Sequence, residues 1–102
     1  MVKSKLTPAD EKFIKEFLPA GLDENKKVIR VNSFSGETAE LGEVSAAAHD
    51  FVKKLECAME YGENAMARVN PKIKQTNAVS LFDRARYIVM KLDSKAYSTL
   101  LD

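Results

Sequence analysis

Histidine 49 and Cys57 are the two side chains best suited to acid–base, nucleophilic or metal chemistry. An acid–base histidine needs a positioned partner and a pocket. On a helical wheel His49 falls on the polar side beside Asp50 and Lys53, and neighbours one residue apart on a helix do not face each other. It reads as a solvated surface residue. Cys57 lies eight residues on, at a flank between apolar and polar sides. One cysteine and one histidine fall short of the three or four ligands a zinc site requires. The mixed charge of Lys53, Lys54, Glu56 and Glu60 is not the electropositive setting of a reactive thiolate, so Cys57 reads as structural.

The carboxylates are many but dispersed. Glu37, Glu40 and Glu43 bracket one turn and one helix start, and nothing pairs two of them for general acid–base work. Ser35-Gly36-Glu37-Thr38 has a single glycine and no lysine at the spacing of a phosphate-binding loop. The segment Arg68 to Asn77, RVNPKIKQTN, puts Arg68, Lys72 and Lys74 ahead of a helix N-terminus, where phosphates bind well. With Arg84 these residues form a nucleic-acid alternative, but three loop cations are few and a solvated connection accounts for the same residues. A helix-turn-helix would need a connection of three or four residues, not about fifteen. No cofactor, metal or small-molecule substrate is expected, and no motif between Val28 and Leu55 is specific enough to assign a family.

The elements that position these residues follow from caps and periodicity. Thr7 is an N-cap, Pro8 fits the first helical position, and Asp10 and Glu11 suit the helix dipole. This first helix runs to about Leu18, with Phe13, Ile14, Phe17 and Leu18 on its apolar face. Pro19-Ala20-Gly21 ends it. Val28 to Phe34 is a β-type run, and Glu37 to Leu41 returns across Ser35-Gly36, with Gly36 at positive φ. Ile29 and Val31 share one face of this hairpin, Arg30 and Asn32 the other. A two-stranded ribbon alone is marginal in water, so it must lie on the helices or pair with another chain.

Glu43 to about Tyr61 is the longest amphipathic helix, burying Val44, Ala47, Ala48, Phe51, Val52, Leu55, Ala58 and Met59. Gly62 stops it, and Glu63 to Val69 adds a helical turn or two. Asn77 to Leu92 is the last long helix, and Asp93-Ser94 caps a short one over Lys95 to Leu101. The fold class is α+β and helix-dominated: three main helices and a short C-terminal helix, with one antiparallel hairpin between the first and second helices, all in a single domain over residues 1–102.

The helix at 77–92 carries two apolar stripes. Ala78, Leu81, Phe82, Ala85, Ile88, Val89 and Leu92 gather on one side at about 100° per residue. Val79, Asp83, Arg86, Tyr87 and Met90 lie roughly opposite. Aromatic, methionine and arginine side chains are the types enriched in interface cores. Either the terminal segment 96–101 or the hairpin covers this stripe, or a partner does.

Sixteen basic and fifteen acidic residues, interspersed, give no broad field for nucleic acid or an anionic membrane. A lone cysteine, no N-x-S/T acceptor, no apolar run behind the basic start MVKSK and no stretch of about 18 apolar residues point to a cytoplasmic protein. The expectation is a non-enzymatic protein-interaction module, an adaptor, inhibitor or homo-oligomer. Its candidate contacts are the outer stripe of the last long helix, the hairpin edge, or both.

Overall fold

A computed structural model describes residues 6–101; the basic start MVKSK and Asp102 lie outside them. Helix α1 spans Pro8–Phe17, and its start is fixed by a reciprocal capping box. The Asp10 amide donates to Thr7 Oγ1 at 3.1 Å, while the Thr7 amide donates to Asp10 Oδ2 at 3.0 Å. Strands β1 (Lys27–Val31) and β2 (Thr38–Gly42) pair antiparallel, with Ile29 opposite Glu40 and Val31 opposite Thr38. Helices α2 (Glu43–Met59), α3 (Glu63–Val69), α4 (Ala78–Leu92) and α5 (Ser94–Leu100) follow. The architecture is α+β and helix-dominated, with a two-stranded hairpin between the first two helices.

The core lies between α2 and α4. Phe51, Val52 and Leu55 on one helix and Ala85, Ile88 and Val89 on the other are closed to solvent, and Leu41 of β2 joins them. Phe13 and Phe17 of α1 meet Phe51, with Phe13 and Phe51 edge to face at 5.1 Å. Such a pair adds about 1 kcal/mol beyond its buried area. Gly62, at φ 100°, ends the α2 segment in a conformation that side-chain-bearing residues avoid. The polypeptide then turns into α3, where the sequence predicts one or two helical turns.

Three local readings change. The β1 run ends at Val31 instead of Phe34, because Asn32 Oδ1 accepts the amides of Phe34 and Ser35 and starts the turn. The connection from α3 to α4 is not merely solvated: Ile73 is wholly buried, plugging the loop into the core. His49 is buried too, at 6 % exposure, with Nδ1 3.0 Å from Asp50 Oδ1. Arg30 of β1 clasps the same carboxylate through Nε and Nη2, both at 2.9 Å. The hairpin therefore packs over the polar side of α2, where the helical wheel alone predicts solvent.

Candidate interaction surface

The hairpin sits on the body by the face that carries Arg30 and Asn32. Arg30 binds Asp50 on α2, and Asn32 Nδ2 donates to the Thr99 carbonyl of α5 at 2.9 Å. Because strand side chains alternate, Ile29 and Val31 must then point outward. They are 63 % and 55 % exposed, and Phe34 at the turn is 95 % exposed. Val28, Ala39 and Leu41 face inward, so the apolar content of the ribbon is divided between its two faces.

The hydrogen-bond register orients the edges. The Asn32 amide donates to the Glu37 carbonyl at 2.7 Å, and bonded pairs alternate along an antiparallel ladder. Arg30 with Ala39 and Val28 with Leu41 therefore carry the ladder bonds. Ile29 and Val31 turn their amides and carbonyls away from β2. No third strand takes them among the described residues. Among the described residues only the Ile29 carbonyl is used, by Arg30 Nη1 at 3.0 Å. An edge of this kind is a template for strand addition.

The outer stripe of α4 is open over part of its length. Val79, Tyr87 and Met90 are exposed. The terminal helix α5 packs along one flank and takes Arg86 instead. Arg86 Nη2 donates to the Tyr97 hydroxyl at 2.7 Å, and its guanidinium lies within 6 Å of the Phe82 and Tyr97 ring centroids. Asp83 sits 3.5 Å from Arg86 at the margin. Of the five residues on this stripe, three form an exposed apolar row and two form its polar border.

The basic set divides differently. Arg68, Lys72 and Lys74 are exposed. Arg84 is drawn to α1, where Nη1 donates to Asp10 Oδ1 at 2.8 Å. Asn77 Oδ1 accepts the Lys74 amide and its Nδ2 donates to the Lys72 carbonyl, so the loop's own polar groups fold it onto the start of α4.

One side-chain arrangement has no signal in the local sequence. The His49–Asp50 pair resembles half of an acid–base relay, yet Arg30 already holds the carboxylate, and no hydroxyl or thiol bonds to His49 among the described residues. Asp50 is held below the usual carboxylate range: burial alone would raise it, but Arg30 and then His49 outweigh that effect. Arg30 is correspondingly shifted upward by its bond to Asp50. Cys57 is exposed on α2. Among the described residues no three His, Cys, Asp or Glu side chains converge as metal ligands, and no helix is long and apolar enough to cross a membrane. The chain matches no known protein family, no curated protein and no solved structure.

Proposed function

We propose that this protein is a small, non-enzymatic interaction module that takes up another protein, or a second copy of itself, along the β1 edge and the outer face of the hairpin. The exposed row Val79, Tyr87 and Met90 on α4 is the second surface available to a partner. The observation that carries this reading is the orientation of the hairpin. Its inward face is consumed in contacts to α2 and α5, while the Ile29 and Val31 side chains and their outward amides are left open. Burying both side chains against a partner would contribute on the order of 2 to 4 kcal/mol.

The test uses Ile29→Lys/Val31→Lys, which changes only exposed positions and blocks strand addition. Molar mass by light scattering separates the two kinds of partner. A dimer that the double variant returns to monomer places a second copy on the hairpin. For a monomer, panning a displayed peptide library should select apolar, strand-forming sequences that the double variant no longer binds. Selected peptides that bind the double variant and Tyr87→Ala/Met90→Ala as well as the wild type would remove both surfaces from the function.

A further inference from the structure

Two carboxylates converge on the first turn of α2 from distant parts of the chain. Glu24, in the loop before β1, accepts hydrogen bonds from the Ser45 amide at 3.1 Å and the Ser45 hydroxyl at 2.8 Å. Asp93, at the corner between α4 and α5, accepts from the Gly42 amide at 3.2 Å. Gly42 is the N-cap of α2 and Ser45 lies in its first turn, so both acids address one set of free amides. The packing is close: a Cβ at residue 42 would run into the Glu24 carboxyl group and its carbonyl oxygen.

Among the described residues no cation closes this pair. Neither acid takes part in an ion pair among the described residues. Lys91, two residues from Asp93, is bound to Asp10, and Arg30 is bound to Asp50. Lys26, Lys27 and Lys95 are exposed and outside ion-pair distance of either acid. The other charged groups here are acidic: Glu43 accepts the Asp23 amide at 2.9 Å, and Asp23 Oδ1 accepts the Asn25 amide.

We propose that Glu24 holds a proton beside the Asp93 carboxylate and that the two form a proton-dependent latch joining the loop before β1, the start of α2 and the α4–α5 corner. With the proton in place, Glu24 donates toward Asp93 while both of its oxygens still accept from Ser45 and Asp93 Oδ2 still accepts from the Gly42 amide. Loss of the proton sets two anions side by side. Their repulsion acts on the longest attachment, from Gly42 to Asp93, and loosens the corner from which α5 reaches β2 and Asn32.

Burial raises the Glu24 carboxyl and the Asp93 neighbour raises it further, against the two opposing bonds from Ser45. A group raised by folding stabilises the folded state below its unfolded value, and that contribution is lost as pH rises through the folded value. The latch is therefore closed in acid and loosened toward neutrality. It operates whatever docks on the hairpin.

Carboxyl-carbon NMR titration and Gly42 amide exchange, corrected for its intrinsic pH dependence, test the latch. Glu24 should titrate above the ordinary glutamate value of about 4.3. The Gly42 opening equilibrium should rise about tenfold for each unit of that displacement. Glu24→Gln should flatten the profile, because its Nε2 donates to Asp93 while Oε1 still accepts from Ser45. Asp93→Asn gives the same contrast from the other side should the first variant not fold. An ordinary Glu24 titration, a flat wild-type profile, or an unchanged pH response in a folded amide variant would overturn the latch.

Discussion

The Asp10 carboxylate receives the Lys91 ammonium at 2.6 Å across 81 residues of chain. Arg84 binds the other oxygen at 2.8 Å, and the Thr7 amide donates to the same oxygen as Lys91. Asp10 is wholly enclosed, whereas the Lys91 and Arg84 side chains retain 29 % and 38 % of their exposure. A single buried anion thus fastens the first turn of α1 to two positions on α4 that lie about two turns apart. The negative charge that begins one helix is also the counterion of another.

Burial would raise the Asp10 carboxyl, but Lys91, the Thr7 amide and Arg84 together lower it from 3.8 to about 2. A depressed value contributes stability that is complete above the unfolded value and lost as pH falls through the folded one. Asp10→Asn should therefore cost about 2 kcal/mol at neutral pH in urea denaturation. The gap between variant and wild type should narrow as pH is lowered from about 4 toward 2. Equal gaps at pH 7 and pH 3 would refute this assignment.

His49 supplies a second test, since its burial inverts the solvated role read from the helical wheel. His49→Ala removes a packed ring and the bond to Asp50, at a cost of about 2 kcal/mol. A surface histidine would change the urea midpoint by less than the equivalent of about 0.5 kcal/mol. That smaller outcome would put the ring back in solvent.

The loop between α3 and α4 separates two kinds of residue. Ile73→Ala should lose about 3 kcal/mol, because the side chain is completely enclosed. Lys72→Ala/Lys74→Ala should leave the thermal midpoint unchanged. A gel shift at two salt concentrations, run on wild type and this double variant, measures any phosphate contact directly. Steeply salt-dependent binding that the lysine pair abolishes would establish the loop as a nucleic-acid surface.

Tyr87→Ala/Met90→Ala should fold with stability within about 0.5 kcal/mol of wild type, since both side chains are exposed and α5 lies on the neighbouring flank. Calorimetry decides it. A loss of several kcal/mol would mean that the chain covers this row itself.

What the sequence made legible was local. Thr7, Pro8 and Gly62 mark helix ends because caps act over three or four residues, and the apolar stripes of α2 and α4 emerge from periodicity within each helix. The alternation in Val28 to Val31 defines two hairpin faces, but nothing local chooses which one meets the body. That choice depends on Asp50 and Thr99, which lie 20 and 67 residues from their hairpin partners. For the same reason Arg84 looked available to a phosphate: its acidic partner, Asp10, is 74 residues away. Ile73 lay in a polar stretch where periodicity has no purchase. Pairings between distant side chains are properties of the assembled fold, and both the hairpin orientation and the division of α4 into exposed row and bound arginine belong to that class.

The exposed position of Cys57 on α2 has a practical consequence. A chain with one thiol offers one attachment point, so a maleimide dye or spin label marks every molecule at the same place. Two labelled copies in a dimer would report one distance, and a labelled monomer would report proximity to a quencher carried by its partner. Under oxidising conditions a disulfide between two copies of this sequence joins Cys57 to Cys57. A covalent dimer that vanishes with reductant is thereby distinguished from one assembled through the hairpin.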